Sequence, residues 1–187
     1  YTEVGNFVVI YSAVGADEET IPTDNTQYNI AETSIIKIPN QEPKKLGYTF
    51  EGWKTGTDDT VYKYGTQNDT YTVPNDISGA ITFIAQWSIN EYKITYELNG
   101  GINAENAPVS YTIETDTITL PVPTKDGYNF EGWYTDAAFE NAVAAIAKGS
   151  VGDMVLYAKW SEKDMAVYKI NSYEKGNVSV RKRTDTD

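Results

Sequence analysis

The sequence predicts a mainly β protein, α+β at most, built from two small modules in tandem. The first observation behind this prediction is a phrase that occurs twice, as "GYTFEGW" at residues 47–53 and as "GYNFEGW" at 127–133. The second is an alternation of apolar and polar side chains with a period of two, which is typical of a strand with one buried face. The third is a series of Gly and Asn-Gly turn signals between the alternating segments.

The repeat extends beyond this phrase. An offset of 80 residues relates its two occurrences, whereas "SGAITFIAQW" at 78–87 aligns with "VGDMVLYAKW" at 151–160 at an offset of 73. The second copy is therefore shorter between the two motifs, but the order of the motifs is the same. Self-similarity at a period near 80 residues is typical of tandem domains that share one fold.

These alignments place a divergent copy one at residues 1–88 and copy two at residues 91–161. The link between them, "SINE" at 88–91, is brief, so we expect free hinge motion between the copies to be limited. We therefore expect an elongated arrangement of the two modules.

The individual strands follow from the alternation. Ile94, Tyr96 and Leu98 share one face of a strand in copy two, and Asn99-Gly100-Gly101 then supplies the positive φ angles that a tight turn requires. The last strand of each copy alternates in the same way. Its inward residues are Ile81, Phe83, Ala85 and Trp87 in copy one and Met154, Leu156, Ala158 and Trp160 in copy two.

A helix is conceivable between Asp136 and Lys148, where apolar residues recur at helical spacing after a capping Asp. The matching stretch of copy one, "TVYKYGTQNDTYTV", is rich in β-branched and aromatic residues, which favour strands. Because the two copies should share a fold, we predict one helical turn near Ala137 to Phe139 followed by extended chain.

The charge of the chain excludes several classes of partner. Fifteen basic and 27 acidic residues leave a formal charge of −12, which repels phosphate backbones and anionic headgroups. We expect no nucleic-acid partner, no membrane insertion and a monomer.

There is no cysteine, which fits a reducing compartment or a bacterial surface. Tyr1 opens the chain without an initiator Met or an apolar signal core, so we expect a fragment of a longer protein.

The sequence contains few side chains of the types that usually act in catalysis. The chain has no His, no Cys, no Gly-x-Ser-x-Gly motif and no Gly-rich phosphate loop. Glu51 and Glu131 are repeated, but equivalent positions in separate modules should not face each other across one sugar. Asp58-Asp59 and Asp17-Glu18-Glu19 lack EF-hand spacing, so we interpret them as solvated loops. We predict no catalytic, cofactor or metal site, and the dependence on Ca²⁺ stays open.

The repeated aromatic and glycine positions predict a structural motif. A Trp at the same place in both copies is more often a buried anchor than a platform for sugars. The predicted scaffold residues are Gly47, Tyr48, Phe50, Gly52, Trp53, Trp87, Gly127, Tyr128, Phe130, Gly132, Trp133 and Trp160. Three tyrosines in the extra segment of copy one have no counterpart in copy two and are candidates for surface contact, namely Tyr62, Tyr64 and Tyr71.

Residues 92–160 resemble the internalin-type B-repeat, also called the Listeria/Bacteroides repeat, through the ordered motifs "ITYELNGG", "LPVPTKDGYNFEGWY" and "GDMVLYAKW". Copy one is a divergent member, because it keeps "GYTFEGW" and "AQW" but has "IYSAVGADEE" in place of the Asn-Gly-Gly turn. We expect this turn to be rebuilt.

The resemblance implies a compact module of the β-grasp or ubiquitin-like class, strung in series on bacterial surface proteins and without catalytic activity. The leading hypothesis is an extracellular, non-enzymatic spacer and adhesion segment that contacts a protein or a host surface. The alternative is a carbohydrate-binding accessory module of a glycan-processing surface protein.

The segment 165–187 has two interpretations. Tyr168-Lys169-Ile170 echoes Tyr92-Lys93-Ile94 of copy two, which would make it the start of a third module. No Asn-Gly-Gly follows, and Gly176-Asn177 would equally suit the turn of a C-terminal hairpin.

Overall fold

The structure is a computed structural model that describes residues 5–56 and 58–164, together with the backbone of 168–174 and 177–182. Within these residues the regular structure is β, apart from one 3-10 turn at Glu18–Thr20. The prediction of a mainly β protein is confirmed. In the ranges described, no helix is long and apolar enough to cross a membrane.

Six strands lie in the described residues of copy one. They are β1 (Asn6–Ser12), β2 (Gln27–Asn29), β3 (Ile35–Lys37), β4 (Tyr48–Lys54), β5 (Thr70–Thr72) and β6 (Gly79–Ile89). The larger sheet has the order β2-β1-β6-β4, in which β1 and β6 are parallel and the other neighbours are antiparallel. The strands β3 and β5 form a separate antiparallel pair.

Seven strands belong to copy two. They are β7 (Glu91–Glu97), β8 (Ser110–Thr112), β9 (Ile118–Thr119), β10 (Tyr128–Tyr134), β11 (Ala142–Val143), β12 (Ala145–Ile146) and β13 (Met154–Glu162). The larger sheet has the order β11-β10-β13-β7-β8, in which β7 and β13 are parallel. The strands β9 and β12 form a separate antiparallel pair.

The two copies share one strand order. In copy two, β8, β7, β13 and β10 repeat the order of β2, β1, β6 and β4, and the pair of β9 with β12 repeats the pair of β3 with β5. Copy two adds β11 beside β10, where copy one has a single bridge between Trp53 and Tyr62. A sequence repeat has thus produced a repeat of topology.

Register is conserved as well. Phe50 lies opposite Trp87, and Phe130 lies opposite Trp160. Immediately after each Phe the register shifts by a bulge that ends at a Gly. A bulge inserts one extra residue in one strand and re-aims the side chains that follow it, so the next Trp can turn inward.

The bulge glycines, Gly52 and Gly132, have φ angles of 137° and 135°, which L side chains rarely adopt. A Cβ added at Gly52 would also lie 2.6 Å from Cγ1 of Val61. The Gly before the Trp in the repeated phrase is therefore required by the backbone in both copies.

The inward faces of the strands form a core within each copy. The alternation in β6 and β13 places the buried residues on one face, as the period of two predicts. The buried apolar residues of copy one are Phe7, Val9, Ala13, Ile36, Ile38, Phe50, Trp53, Tyr71, Val73, Ile81, Phe83 and Ala85. Those of copy two are Ile94, Tyr111, Leu120, Trp133, Ile146, Leu156 and Ala158.

The first turn of copy one is rebuilt without the Asn-Gly-Gly sequence. It closes with a hydrogen bond from the backbone N of Ala16 to the backbone O of Ala13, 3.0 Å long, and Gly15 takes the positive φ of 79°. In copy two, Asn99 and Gly100 have φ angles of 49° and 84°. Both copies thus turn at the same point with different residues.

No helix forms between Asp136 and Lys148. A single turn closes where the backbone N of Phe139 donates to the backbone O of Asp136 over 3.2 Å, and the chain then continues as β11 and β12. The predicted helical turn is therefore a non-helical turn. Its physical reason is local, because Phe139 takes a left-handed φ of 58° that ends any helical path.

The last described segment contains β14 (Tyr168–Glu174) and β15 (Asn177–Lys182), which pair antiparallel from Tyr168 opposite Lys182 to Glu174 opposite Asn177. The residues 175 and 176 lie outside the described part of the chain. Part of the proposed turn at Gly176-Asn177 therefore falls outside the described residues, and a third module remains an open expectation.

Two compact units divide the chain. One consists of Tyr1–Lys93, Ser110–Asp116 and Ala147–Asp153, and the other of Ile94–Val109, Thr117–Ile146 and Met154–Asp187. This division cuts through β7 and differs from the sequence-based boundaries between residues 88 and 91. Copy one and copy two are therefore names for sequence repeats, and their boundaries as folding domains stay a prediction.

Candidate functional site

The repeated phrase forms the start and the body of β4 and β10. Gly47 and Gly127 both have a φ of 77°, and each sits in a turn whose backbone hydrogen bond ends at the following Tyr. The backbone N of Tyr48 donates to the backbone O of Lys45 over 3.0 Å, and the backbone N of Tyr128 donates to the backbone O of Lys125 over 3.1 Å. The phrase therefore places a tight turn directly before a strand.

The first Trp of each copy is buried. Trp53 is 0% exposed and meets Phe50 edge to face at 5.1 Å between ring centroids. Trp133 is 3% exposed and meets Phe130 in the same way at 5.4 Å. Such pairs stabilise a core beyond the area that they bury. A ring in this position is not accessible as a sugar platform.

The two indole N–H groups differ. Trp133 Nε1 donates to the backbone O of Pro121 over 2.7 Å. Trp53 Nε1 is buried and has no hydrogen-bond partner among the described residues. The same position in the repeat is thus satisfied in copy two and unsatisfied in copy one.

The second Trp of each copy is half-buried. Trp160 Nε1 donates to the backbone O of Leu98 over 2.9 Å, which ties the end of β13 to the turn after β7. A Cβ added at Gly101 would lie 2.4 Å from Cζ2 of Trp160. The second Gly of the Asn-Gly-Gly turn is thus needed because the indole packs against its backbone.

A lysine covers this second Trp in both copies. Lys45 Nζ lies 4.2 Å from the ring centroid of Tyr48 and 5.9 Å from that of Trp87. In copy two, Lys125 Nζ lies at the same two distances from the rings of Tyr128 and Trp160. A cation over an aromatic face at this range is attracted by the quadrupole of the ring.

Our reading of the sequence missed this repeated stack of Lys, Tyr and Trp. A signal was present, because "KLGY" at 45–48 and "KDGY" at 125–128 share a Lys three residues before the Tyr. The partner Trp is contributed by another strand, however, so the spacing of Lys and Tyr does not reveal the third member.

Copy two carries an open cleft beside this stack. It is lined by Asn99, Lys125, Tyr128, Ala137, Phe139, Tyr157, Ala158, Lys159 and Trp160. None of these lining residues is acidic, although the chain as a whole carries −12. We call this set of residues the copy-two cleft.

The second lysine of the copy-two cleft is also stacked. Lys159 Nζ lies 5.2 Å from the ring centroid of Tyr134 and 5.8 Å from that of Phe139. Lys125 Nζ in turn donates to the backbone O of Asn99 over 2.8 Å. The Lys125 ammonium group is thus fixed by a backbone bond, the Lys159 ammonium group lies over two rings, and each can offer further donors to an anionic group of a partner.

Backbone strain gathers at the copy-two cleft. Asn99 and Phe139 are the non-Gly residues with positive φ in the described chain, at 49° and 58°, and both line the cleft. Asn tolerates this conformation, whereas for a bulky residue such as Phe it costs roughly 1 to 2 kcal/mol. In this strained conformation the Phe139 ring packs against the Tyr134 ring, edge to face, with 5.5 Å between the ring centroids. Strained positions of this kind cluster at functional sites.

The three tyrosines predicted as surface contacts differ in how far their side chains are exposed. Tyr64 is 48% exposed, and Tyr62 is half-buried with its hydroxyl 3.1 Å from Asp58. Burial and this carboxylate raise the pKa of Tyr62. Tyr71 is only 3% exposed and meets Phe83 edge to face at 5.4 Å, so its assignment as a surface contact was wrong. The pairing of β3 with β5 turns Tyr71 into the core.

The repeated carboxylates hold strands together. Glu51 accepts a hydrogen bond of 2.5 Å from Ser88 Oγ on the neighbouring strand, and Glu131 accepts one from Ser161. Within the described ranges, no group of three or more His, Cys, Asp or Glu residues is placed to hold a metal ion. Asp59 instead pairs with Lys54 over 3.5 Å, and Asp58 accepts a bond of 2.8 Å from the backbone N of Thr60.

The chain matches known sequences over most of its length. The Listeria-Bacteroides repeat domain matches twice, at residues 7–86 and 92–159. Internalin H of Listeria monocytogenes is 33% identical over 144 residues, which are 74% of this chain and 24% of that protein. A protein of Evansella cellulosilytica named "Putative Gly-rich membrane protein" is 34% identical over 152 residues, 77% of this chain and 17% of that protein.

The chain thus spans about a quarter or less of the relatives it matches. Both repeats found from the internal alignment coincide with a match to one family, and the turn, bulge and Trp positions of that repeat recur in the two copies. The chain therefore belongs to the Listeria-Bacteroides repeat domain family.

Proposed function

We propose that this chain is an extracellular repeat segment of a bacterial cell-surface protein, where it acts as a spacer and adhesion module that contacts a protein or a host surface. The observation that carries the proposal is the recurrence of one strand order in two copies separated by a single residue. β6 ends at Ile89, β7 begins at Glu91, and only Asn90 lies between them. A segment of this kind adds length to a parent protein in fixed steps.

The relatives support a surface location. One relative is named Internalin H and another "Putative Gly-rich membrane protein", and names of this kind are consistent with a surface location. Both are several times longer than the matched region, so the match covers only part of each. We infer that the present chain likewise serves a larger protein, anchored at the surface by other parts.

The side-chain inventory supports a non-enzymatic role. The chain has neither His nor Cys, and the repeated Glu51 and Glu131 are engaged by serines of neighbouring strands. In these positions the carboxylates bridge neighbouring strands, which supports a structural role for them.

The finer fold class belongs to the proposal as well. Each copy has a mixed sheet whose first and last strands form a parallel central pair. This pair is flanked by β2 and β4 in copy one and by β8 and β10 in copy two, an arrangement that fits the β-grasp or ubiquitin-like class. No α-helix is present in the described residues of either copy, so the modules would be a helix-free version of that class. The domain boundaries 1–88 and 91–161 are part of the same proposal.

The copy-two cleft is the best candidate for the adhesive contact. Its two lysines and half-buried rings suit a partner surface that presents carboxylates next to apolar groups. The exposed Tyr64 of copy one remains a second candidate for contact.

Surface exposure can be tested on the bacterium that makes the protein. Antibodies raised against the chain should label intact cells, and mild protease treatment of those cells should remove the label. Permeabilised cells provide the control for total protein. Labelling only after permeabilisation would contradict the extracellular assignment.

Adhesion can be tested with beads that carry the chain. We expect beads to adhere to epithelial cells, and the double variant Lys125→Ala with Lys159→Ala to reduce adhesion several-fold. Lys45→Ala is the matched control, because it removes the same cation over Tyr48 and Trp87 in a copy that has Gln86 in place of Lys159. Equal effects of the two variants would remove the cleft from the proposal.

The alternative is a carbohydrate-binding accessory module. The half-buried Trp160 and Tyr128 in the copy-two cleft favour it, whereas burial of Trp53 and Trp133 does not. Binding of the chain to a glycan array, lost with Trp160→Ala, would support the alternative over a protein contact.

A further inference from the structure

The first and last strands of each copy lie side by side and run parallel. In copy one, β1 pairs with β6 in six register positions, from Phe7 opposite Gly79 to Ser12 opposite Ile84. In copy two, β7 pairs with β13 in four positions, from Ile94 opposite Met154 to Glu97 opposite Tyr157. The chain therefore enters each copy through one strand of a parallel pair and leaves through the other.

A parallel pair responds to tension in a particular way. The start of one strand and the end of its parallel partner lie at opposite ends of the pair, so a pull on both termini slides the strands along each other. The bonds between the strands then carry the force together. A pull across the pair at one end breaks the same bonds one after another and meets less resistance.

The core opposes the same sliding motion. Phe7 and Val9 on β1 and Ile81 and Phe83 on β6 are buried, so β1 cannot move along β6 without exposing them to water. The resistance of the backbone bonds and that of the buried side chains therefore act at the same strand pair.

The linker between the last strand of copy one and the first strand of copy two is a single residue. Asn90 is the one residue between β6 and β7, and two hydrogen bonds fix it to the start of β4. Its backbone N donates to the backbone O of Gly47 over 2.9 Å, and its side-chain Oδ1 accepts a bond of 2.6 Å from Thr49. Tension along the chain passes directly from one force-bearing strand to the next.

We propose that each copy is a tension-bearing unit whose terminal strands are loaded in shear, and that copy one resists a higher force than copy two. The ranking follows from six paired positions against four. The inference deepens the proposed function and rests on it, since a segment that links a cell surface to a bound partner carries tension along its chain.

Single-molecule force spectroscopy tests the direction of loading. The chain has no cysteine, so two introduced thiols define the points of attachment. Asn6→Cys with Ile89→Cys loads the β1 and β6 pair along the strands, and Asn6→Cys with Ser78→Cys loads it across one end. All three positions are exposed, and equal thermal unfolding of the two variants verifies that both keep the fold.

We expect the peak unfolding force to be several-fold higher for the first variant than for the second. Equal forces in the two directions would overturn the proposal. The measurement uses the isolated chain, so it is independent of antibody labelling on cells, and a failure of the surface assignment is distinguishable from a failure of the shear geometry.

A third variant, Asn6→Cys with Glu162→Cys, tests the ranking of the copies. Residues 7–86 and 92–159 should release contour lengths of about 280 Å and about 240 Å, before the folded lengths are subtracted. We expect the event with the smaller increment to come at the lower force. The reverse order, or one event that combines both increments, would overturn the independent and ranked response.

Discussion

At the scale of single residues, the repeat places the same side chain in different chemical surroundings. Trp53 and Trp133 occupy equivalent positions and are both buried, but only Trp133 Nε1 has an acceptor, the backbone O of Pro121. A buried donor without a partner loses its bonds to water without replacement. The two indoles therefore provide a matched pair in one protein.

We predict that Trp133→Phe destabilises the protein more than Trp53→Phe, by about 1 to 2 kcal/mol. Both changes remove similar ring volume, but only the first leaves a carbonyl without its donor. Urea unfolding followed by circular dichroism measures the free energies of unfolding. Equal losses at the two positions would show that the bond to Pro121 adds no net stability.

Gly101 illustrates a second residue-scale constraint, which comes from packing. An added Cβ would lie 2.4 Å from the Trp160 ring and 3.1 Å from the backbone O of Thr124. The ring would have to move away from its bond to Leu98.

We expect Gly101→Ala to cost roughly 1 to 3 kcal/mol, the usual range for overpacking. Gly56→Ala is the control, because a Cβ there meets nothing within 4 Å. Tryptophan fluorescence should shift together with the loss of stability in the first variant alone. A neutral Gly101→Ala would mean that the turn yields without disturbing the indole.

At the scale of elements, short polar contacts define turns that periodicity does not predict. Asp136 begins the turn after β10, and its carboxylate accepts bonds from the backbone N of Glu140, at 3.1 Å, and of Asn141, at 2.8 Å. These two backbone bonds lower the pKa of Asp136. The turn places Phe139 in the copy-two cleft, so a surface carboxylate supports the candidate site.

The lowered pKa predicts a pH dependence. A carboxyl whose folded pKa lies below its unfolded value, about 3.9, contributes stability above that value and loses it as the pH falls through the folded pKa. We expect Asp136→Asn to lower the melting temperature at pH 7, and the difference from the parent to shrink at pH 3. Thermal unfolding at the two pH values measures this. A difference that persists undiminished at pH 3 would assign the effect to something other than the charge.

At the scale of the whole molecule, the boundaries of the sequence repeat and of the compact units differ, so it has to be asked whether copy two can fold without the rest of the chain. Residues 92–160 contain β8 to β12 in full and all but the outermost residues of β7 and β13, whereas the division into compact units assigns parts of copy two to the first unit. A segment of this size is near the lower limit for an unaided core.

We predict that a fragment of residues 92–160 folds cooperatively, with a stability on the order of a few kcal/mol. The strand order of its sheet is complete within the fragment, which supports this expectation. Thermal unfolding by circular dichroism provides the measurement, and Trp133→Ala, with an expected cost of roughly 3 to 5 kcal/mol, should abolish the transition. A fragment without any cooperative transition would place the folding unit at larger boundaries.

The sequence by itself determined the class of fold, the existence of two copies and the faces of the main strands. These depend on properties that are local along the chain. Alternation in β6 and β13 identifies their buried faces, and Gly before the repeated Tyr identifies a turn with positive φ. A conserved order of such local signals was enough to predict one fold twice.

Only the tertiary structure decided which distant residues meet. Tyr71 is buried because β5 pairs with β3, some 35 positions earlier, and no local signal distinguishes it from the exposed Tyr64. The stack of Lys125, Tyr128 and Trp160 joins a turn to the end of a later strand. The parallel pairing of terminal strands is likewise non-local. Periodicity reports which side of a strand is apolar, but the partner that covers that side depends on contacts formed across the whole fold.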